Sequence, residues 1–337
     1  MKAVVLVGGE GTRLRPLTET VPKPLLPLVD RPILDHVLDH LVVHGVREVI
    51  MSSPYLEETF HPFLEARGGH PAVTWVTERE PLGTGGAIVS VLDRLGDEPF
   101  LALNGDILTD LDLTVMLDRH RSRAAAVTIA LHRVEDARAF GLVATDPNGR
   151  VTAFREKPPD PVPGDINAGT YVLDPSTLRD WTPGTYLWIE GEIFPTLVAD
   201  GVPMYGFGSD AYWLDLGTPE QYLRAHADLL AGRVAGHAYD APWIGPGARV
   251  DPSARVGRSV AIGPGARVEG GAEVDDSVLL PGSVVEQGAR VVRSVIGSAA
   301  TVGAGASLAG SVLGDGVHVG PGANLDGVRL GSDATGS

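Results

Sequence analysis

The chain is 337 residues long, and 43% of its residues are hydrophobic while 21% are charged. This length allows two domains with a core each, and the composition excludes a mainly disordered chain. Its 27 basic and 43 acidic residues give a formal net charge of -16. Such a charge repels the phosphate backbone of a nucleic acid unless a local basic site overrides it, so we expect no nucleic-acid partner.

Cysteine is absent from the chain, which excludes disulfides, thiolate metal ligands and cysteine nucleophiles. Residues 3–7 are apolar but run directly into a glycine loop, so they indicate a first strand and not a signal peptide. No segment of the sequence approaches the ~20 continuous apolar residues that cross a bilayer. The sequence therefore predicts a cytoplasmic protein without a membrane partner.

Residues 1–231 alternate short apolar runs with segments long enough for helices, which is typical of an α/β domain. A helix is predicted from Ile33, because apolar residues recur at three- and four-residue spacing after Pro32 and Gly45 follows them. Beyond Phe100 helices become sparse, which predicts an antiparallel part of the sheet. The predicted strands are residues 3–7, 47–51, 72–76, 99–104, 126–134, 142–146, 151–156 and 167–174.

Residues 243–330 follow a hexapeptide repeat. An apolar residue recurs every six positions from residue 244 to residue 280, and every five or six positions from residue 285 to residue 325. A six-residue unit is too short to bury a core alone, so the repeats are expected to wind into a triangular parallel β-helix. The shifts in spacing are expected at bulged corners or coil boundaries.

The segments on either side of the repeat are predicted to be a linker, residues 232–242, and a tail, residues 331–337. His318 is the only histidine within the clear repeat. Some hexapeptide-repeat enzymes use a histidine as an acyltransferase base, but we expect His318 to face solvent.

A glycine-rich loop follows the first predicted strand, with the sequence GGEGTRLRPL at residues 8–17. Gly8, Gly9 and Gly11 allow backbone N–H groups to approach a triphosphate closely, and Arg13 adds a cation. Lys23 follows between two prolines, which restrict the positions that its ammonium group can reach. The loop matches neither the G-x-G-x-x-G dinucleotide fingerprint nor the G-x-x-x-x-G-K-[ST] phosphate loop, so neither function is inferred from it.

Eight motifs in order span nearly the whole chain. They are GGEGTRLRPL (8–17), PKPLL (22–26), EPLGTGGA (80–87), LNGDI (103–107), FREKP (154–158), INAGTYVLDP (166–175), IEGEIFP (189–195) and WLDLGTPEQY (213–222). In these motifs the chain resembles the sugar-1-phosphate nucleotidyltransferases, most closely the mannose-1-phosphate guanylyltransferase branch with a β-helix tail. The resemblance implies a Rossmann-like mixed sheet in residues 1–231, followed by a left-handed parallel β-helix.

The resemblance also implies roles for individual residues. Arg13 and Lys23 would act on the phosphates as catalytic residues together with Asp106. Asp106 and Asp215 would bind Mg²⁺, an ion that suits a few carboxylates plus substrate phosphates. The implied nucleotide contacts are Gly8, Gly9, Gly11, Thr12, Glu78, Gly83 and Thr84. The implied sugar-phosphate contacts are Gly141, Glu156, Lys157, Asn167 and Gly169.

Simpler roles for some of these residues stay open at this point. Asp106 can be a turn or helix-capping aspartate, and Glu156 with Lys157 can be a plain ion pair at the edge of a strand. Arg13 and Lys23 can be two surface cations.

The implied reaction needs few acid–base groups. A sugar phosphate has a second pKa of ~6, so at neutral pH most of it is the dianion that attacks the α-phosphorus of the nucleotide. The site must align two polyanions and neutralise the charge that develops on pyrophosphate, which cations and backbone donors can do. Arg13, Lys23, Lys157 and the Mg²⁺ would supply positive charge locally in an acidic chain.

The nucleobase and the sugar are indicated by fewer residues. An ionised Glu78 only accepts hydrogen bonds, which suits the N1–H and N2–H₂ edge of guanine and predicts GTP, unless Glu78 points to solvent. Mannose 1-phosphate is the sugar that the resemblance favours. Glucose, heptose or cyclitol 1-phosphates, with a thymidylyl or other nucleotidyl donor, would meet the same motif residues.

Other classes of protein share this fold. A regulatory subunit that binds a nucleotide sugar without turnover would be favoured by the loss of Arg13, Lys23 or Asp106, and all three are present. A bifunctional uridylyltransferase and acetyltransferase would need a considerably longer tail. The surface of the β-helix is expected to drive self-association into a homo-oligomer.

Overall fold

The computed structural model describes residues 1–54 and 57–331. The chain divides into two compact units. The first unit comprises Met1–Gly9, Val37–Ile107 and Leu111–Trp213, and the second comprises Glu10–His36, Leu108–Asp110 and the chain from Leu214 onward. The second unit therefore contains both the repeat and most of the glycine-rich segment. The predicted tail, residues 331–337, lies outside the described residues apart from Gly331, and the domain limits at 231 and 242 stay predictions.

A mixed sheet organises the first unit, with nine strands among the described residues. Seven of them follow the order Val151–Glu156, Gly141–Thr145, Gly164–Leu173, Phe100–Asn104, Lys2–Leu6, Glu48–Ser53 and Ala72–Thr77. Gly164–Leu173 also pairs with Val127–Val134, which pairs with Met204–Gly208. The last four strands of the order are mutually parallel, whereas Gly164–Leu173 runs antiparallel to its neighbours. The predicted α/β fold with a mixed sheet is confirmed.

The parallel part of the sheet is buried on both faces. Ala3, Val4 and Val5 in the first strand are each 0% exposed, as expected for a continuous apolar run in a parallel sheet covered by helices. Ile88 from the helix Gly83–Val89 and Phe194 from the helix Phe194–Ala199 pack into the same core. The loops that follow these strands therefore extend from a well-packed sheet.

The α-helices of the two units are mostly short. The α-helices among the described residues are Ile33–Val43, His61–Ala66, Gly83–Val89, Leu92–Leu95, Leu113–Ser122, Phe194–Ala199 and Pro219–Leu230. A π-helix spans Ile189–Ile193, and 3₁₀ turns span Thr12–Leu14, Lys23–Leu25, Glu57–Thr59 and Pro175–Leu178. The predicted helix from Ile33 is confirmed, and Gly45 follows its end with a φ of 78°. Two short strands, Ile107–Thr109 and Trp213–Asp215, lie where the chain passes between units.

Three parallel sheets form the repeat, as the predicted β-helix requires. The first contains Trp243–Ile244, Ala261–Ile262, Val278–Leu279, Val295–Ile296, Val312–Leu313 and Arg329–Leu330. The second contains Arg249–Val250, Arg267–Val268, Val284–Val285, Thr301–Val302 and His318–Val319. The third contains Arg255–Val256, Glu273–Asp275, Arg290–Val292, Ser307–Ala309 and Asn324–Asp326. The residue at the second position of nearly every strand faces a common apolar core.

The first shift of the repeat lies one step earlier than the sequence spacing predicts. Ile262 pairs with Leu279, and Leu279 pairs with Ile296, so Leu279 follows Val274 in the inward column and Leu280 does not. The reason is a tighter corner, at which Asp276 takes a φ of 44°. The sequence could not distinguish the two neighbouring leucines.

The tight corners share a column of buried serines. Ser277, Ser294 and Ser311 are each 0% exposed. The Ser277 Oγ accepts a hydrogen bond from the Ser294 N–H at 3.1 Å, and the Ser294 Oγ accepts one from the Ser311 N–H at 3.1 Å. Each hydroxyl also donates to the carbonyl two residues earlier, so the corner satisfies its polar groups without water.

Two smaller predictions concern surfaces. His318 is exposed, as expected for a solvent-facing side chain of the repeat. Among the residues that the structure describes, no helix is long and apolar enough to cross a membrane.

Candidate active site

The glycine-rich loop is shaped by Gly11 in the second unit. Gly11 has a φ of 62°, and a Cβ there would lie 3.0 Å from the Thr18 Cγ2 and 3.1 Å from the Lys23 Cβ. Both the left-handed backbone and the close approach therefore favour glycine. Thr12 and Arg13 begin the 3₁₀ turn that follows, and both are exposed. This turn presents Arg13 at the surface of the unit.

Arg13 and Lys23 meet on one carboxylate. The Arg13 Nη2 lies 3.8 Å from the Asp215 Oδ2, and the Lys23 Nζ lies 3.9 Å from the Asp215 Oδ1. Lys23 is only 6% exposed, whereas the Arg13 side chain is 64% exposed. A buried ammonium group is costly unless it has partners, and Asp215 is one such partner for Lys23.

Gly217 leaves the room that this cluster needs. A Cβ on Gly217 would lie 2.7 Å from the Arg13 Nη2 and 2.9 Å from the Asp215 Oδ2. The glycine of the WLDLG motif therefore lets the guanidinium approach the carboxylate. The structure brings Arg13 and Lys23 together with Asp215, which lies far from both of them in the sequence.

Asp106 lies in the first unit, just after the strand Phe100–Asn104. The preceding Gly105 is packed so closely that a Cβ would lie 2.9 Å from the Val7 Cγ1, and its N–H donates to the Leu6 carbonyl at 2.9 Å. The turn is thus fixed against the end of the first strand, next to Gly8 and Gly9. Ligands of open α/β sheets commonly bind at this carboxyl edge of parallel strands.

The carboxylates of Asp106 and Asp215 are the type of ligand that Mg²⁺ prefers. The described residues contain no group of three or more His, Asp or Glu side chains that could enclose a metal ion. Asp106 and Asp215 are hard oxygen donors, and Mg²⁺ is often held by only one or two carboxylates with water and substrate phosphates as its other ligands. Each of the two predicted donors is therefore of a kind that Mg²⁺ takes.

Glu78 is buried in the first unit and does not point to solvent. It is 8% exposed, its Oε1 accepts a hydrogen bond from the Ser52 Oγ at 2.8 Å, and its Oε2 accepts one from the Leu82 N–H at 2.9 Å. These bonds brace the loop that leads into the helix Gly83–Val89. Each oxygen has a second lone pair beyond the one that its hydrogen bond uses.

Gly83 and Thr84 start that helix against the segment before the π-helix. Gly83 has a φ of 69°, and a Cβ there would lie 2.6 Å from the Leu187 carbonyl oxygen. The Thr84 Oγ1 accepts a hydrogen bond from the Ile189 N–H at 3.1 Å and donates one to the Glu190 Oε2 at 2.9 Å. The predicted nucleotide loop is therefore tied to the IEGEIFP motif.

Glu156 ends the strand Val151–Glu156, and Lys157 follows it directly. The Lys157 Nζ lies 3.4 Å from the Glu156 Oε1, so the ion pair that the sequence allowed is present. A Cβ on Gly141 would lie 2.8 Å from the Glu156 Oε2, which explains the glycine there. Lys157 has a φ of 43°, an uncommon backbone for a non-glycine residue that often marks functional sites.

The exposed Lys157 side chain is also near an aromatic ring. Its Nζ lies 5.9 Å from the ring centroid of Trp188, within the range of a cation–π contact. Sequence reasoning did not select Trp188, because a single exposed aromatic residue between motifs gives no signal.

Asn167 and Gly169 lie in the strand Gly164–Leu173, beside a buried polar network. The Asn167 Oδ1 accepts from the Gly169 N–H at 2.9 Å, and its Nδ2 donates to the Tyr171 hydroxyl at 2.7 Å. The Tyr171 hydroxyl donates to the Glu190 Oε1 at 3.2 Å. Trp213 adds a hydrogen bond from its Nε1 to the Ala168 carbonyl at 2.9 Å. Sequence reasoning missed Tyr171, Glu190 and Trp213, although all three lie inside quoted motifs.

The sequence patterns of two families match the chain. The nucleotidyl transferase family matches residues 2–232, and the GMPPB C-terminal domain matches residues 239–330.

Several curated proteins are similar to the chain. A mannose-1-phosphate guanylyltransferase of Mycobacterium tuberculosis is 42% identical over 268 residues, which cover 76% of this chain and 75% of that protein. The catalytic subunit beta of mannose-1-phosphate guanylyltransferase from Danio rerio is 37% identical over 270 residues, which cover 77% of this chain and 74% of that protein.

A solved structure is similar to about two thirds of the chain. HddC from Yersinia pseudotuberculosis, complexed with GMP-PN, is 28% identical with a TM-score of 0.57, and the match covers 66% of this chain and 97% of HddC.

Proposed function

Because the chain belongs to the nucleotidyl transferase family and is a sugar-1-phosphate nucleotidyltransferase, we propose that it transfers guanylyl from GTP to mannose 1-phosphate. The products are GDP-mannose and pyrophosphate. The observation that carries the reaction type is the pair of cations, Arg13 and Lys23, held on Asp215 beside a glycine-rich loop. The relatives named mannose-1-phosphate guanylyltransferase support the substrate pair.

The guanine preference rests on Glu78. Its carboxylate accepts hydrogen bonds only, and the free lone pairs on its two oxygens match the donors on the edge of guanine. The HddC structure supports the same base, because HddC is complexed there with GMP-PN.

The chain's own residues account for most of the mechanism. Arg13 and Lys23 bind the β- and α-phosphates and offset the negative charge that develops on the leaving pyrophosphate, an effect of fixed charges worth several kcal/mol in enzymes. Lys157 binds the phosphate of mannose 1-phosphate and Glu156 accepts from its sugar hydroxyls. The dianionic phosphate attacks without a general base. Asp106 and Asp215 would hold Mg²⁺, which supplies further positive charge on the phosphate oxygens.

Pyrophosphate release by the purified protein tests the proposal. Five nucleoside triphosphates are crossed with mannose, glucose and heptose 1-phosphates in the presence of Mg²⁺, and turnover is expected to be fastest with GTP and mannose 1-phosphate. Equal turnover with GTP and dTTP would contradict the base assignment. Faster turnover of another sugar 1-phosphate would contradict the sugar assignment, and no release with any pair would favour a regulatory subunit.

We further propose that the protein is a cytoplasmic homo-oligomer that associates through its β-helix. Stacked parallel coils offer faces on which a second copy can pack. Light scattering of the purified protein gives the number of subunits, and a monomeric mass would contradict the proposal.

A further inference from the structure

Glu190 is a buried carboxylate that the proposed mechanism does not use. It lies in the π-helix Ile189–Ile193 and is 8% exposed. Single π-turns cost backbone hydrogen-bond geometry and are frequent at functional sites. A buried carboxylate is also costly unless it is hydrogen-bonded, so its retention calls for an explanation.

The hydrogen bonds around Glu190 have a fixed direction. The Thr84 hydroxyl oxygen already accepts from the Ile189 N–H at 3.1 Å, so its proton is free to go to the Glu190 Oε2 at 2.9 Å. The Gly169 N–H fixes the Asn167 amide with its oxygen toward the backbone, so the Asn167 Nδ2 donates to Tyr171.

The Tyr171 hydroxyl consequently donates to the Glu190 Oε1 at 3.2 Å. Glu190 thus receives one hydroxyl proton on each oxygen, which is the pattern of an ionised carboxylate. The result is one continuous chain of bonds from Gly169 to the Ile189 N–H, with Glu190 at its centre.

The electrostatics support the proton on Tyr171. Burial raises the pKa of Tyr171 well above its ordinary value, and the charge of Glu190 raises it further, so the phenol keeps the proton that it donates. Burial raises the pKa of Glu190, and the hydrogen bonds from Thr84 and Tyr171 act in the opposite direction.

The two ends of this chain of bonds lie at different predicted subsites. Thr84 belongs to the nucleotide loop, and Asn167 with Gly169 belongs to the sugar-phosphate side. Building on the proposed function, we propose that Glu190 is a positioning residue that couples the two subsites, so that ordering of the nucleotide loop through Thr84 also orders Asn167. It contacts neither substrate, and it acts through the two hydroxyl groups that it holds.

The network predicts a specific effect of Glu190→Gln. A glutamine is almost isosteric, but it has one acceptor oxygen and an amide that only donates, so it can accept from one of the two hydroxyls. Glu192→Gln is the matched control on the same helix, because the Glu192 Oε2 accepts a hydrogen bond from the Trp188 N–H at 2.7 Å and an amide oxygen can accept it equally.

Kinetic cross-effects test the coupling with whichever substrate pair the wild type turns over. Thr84→Val is expected to raise the KM for the sugar 1-phosphate, and Asn167→Ala the KM for the nucleotide, each about 5-fold. In a Glu190→Gln background both cross-effects are expected to disappear, while in a Glu192→Gln background they persist. The proposal would be overturned if the cross-effects remained undiminished in the Glu190→Gln background. It would also be overturned if Thr84→Val and Asn167→Ala, as single substitutions, produced no cross-effect.

Hydrogen exchange of the ligand-free protein separates this inference from the proposed function. Thr84→Val is expected to speed exchange of the Gly169 amide, and Asn167→Ala that of the Ile189 amide, with no transmission in Glu190→Gln. A protein without pyrophosphate release but with this transmission would refute the function and keep the network. If the enzyme is active but Thr84→Val leaves the exchange rate of the Gly169 amide unchanged, the coupling is refuted and the proposed function is kept.

Discussion

The predicted site residues of the two units are held in different ways. In the first unit, Thr84, Asn167 and Tyr171 are fixed by directed hydrogen bonds around the buried Glu190. In the second unit, the Arg13 Nη2 and the Lys23 Nζ lie 3.8 Å and 3.9 Å from the carboxylate oxygens of Asp215, and Gly217 leaves space for the guanidinium. Hydrogen bonds depend on direction, so they hold side chains in one geometry. Charge–charge contacts depend less on direction, so they allow Arg13 and Lys23 to adjust as a phosphate moves.

The largest effect is expected from Lys23→Ala. Lys23 is 6% exposed, so its charge acts with little screening by water, and its loss should lower kcat/KM for pyrophosphate release about 1000-fold. Lys2→Ala is the control, because the Lys2 Nζ pairs with the Glu48 Oε2 at 3.5 Å at the start of the first strand. A loss in Lys23→Ala no greater than that in the control would mean that the buried charge does not act on the phosphates.

Gly217→Ala should have the next largest effect. The added Cβ would lie 2.7 Å from the Arg13 Nη2, so the guanidinium must move, and displacement of a catalytic group costs about 100-fold in kcat. Gly208→Ala is the matched control, since a Cβ there meets no atom within 4 Å. Steady-state kinetics and thermal unfolding of both variants decide the outcome, and equal activity would show that Arg13 does not need its position.

Neutral histidines anchor the segment after Lys23 in the second unit, which makes its stability depend on pH. The Val29 N–H donates to the His226 Nδ1 at 3.3 Å, and the His36 Nε2 lies 2.9 Å from the Leu28 carbonyl oxygen. Burial lowers the pKa of His226 to about 3 and that of His36 to about 4, from an ordinary 6.5.

Because these folded-state pKa values are depressed, the unfolded chain binds more protons once the pH falls below 6.5, and stability is lost in that window. For His226 the loss between pH 7.5 and pH 5 is about 2 kcal/mol. Thermal unfolding of the wild type and of His226→Asn, which retains an acceptor for Val29, measures it as the difference between their pH dependences. Parallel curves would show that His226 titrates normally.

The smallest effect is expected from Arg329→Ala, in the last strand of the β-helix. The Arg329 Nη1 donates to the Arg13 carbonyl at 3.0 Å, and its Nη2 lies 3.7 Å from the Glu220 Oε1. The side chain is 46% exposed, so its contribution should be only about 3-fold in kcat/KM and should shrink in high salt. Arg290→Ala, which removes an exposed ion pair elsewhere in the repeat, is the control and should leave kcat/KM unchanged.

The fold was largely predictable because periodicity encodes it. The alternating runs of the first half and the six-residue steps of the second correspond to the strands that form. Spacing failed where neighbouring residues are chemically alike, as with Leu279 and Leu280, since only the backbone at Asp276 decides which one turns inward.

The candidate site was predictable to the extent that its residues stand in recognisable motifs. Arg13 and Lys23 are marked by glycines and prolines, but their shared contact with Asp215 depends on residues almost 200 positions away and has no local signal. Glu190 was missed for another reason, because a π-helix matches neither the helical nor the strand period. The direction of its hydrogen bonds follows from the partners and is invisible in a linear sequence.

The serine column of the β-helix makes the length of that domain adjustable in whole coils. The column consists of Ser277, Ser294 and Ser311, which are spaced by 17 residues. The Oγ of each of the first two accepts a hydrogen bond from the backbone N–H of the serine one coil later. If residues 278–294 were deleted, Ser277 would stand where Ser294 stood and would face the Ser311 N–H. Insertion or deletion of 17 residues therefore adds or removes one whole coil and preserves the hydrogen bonds of the corner.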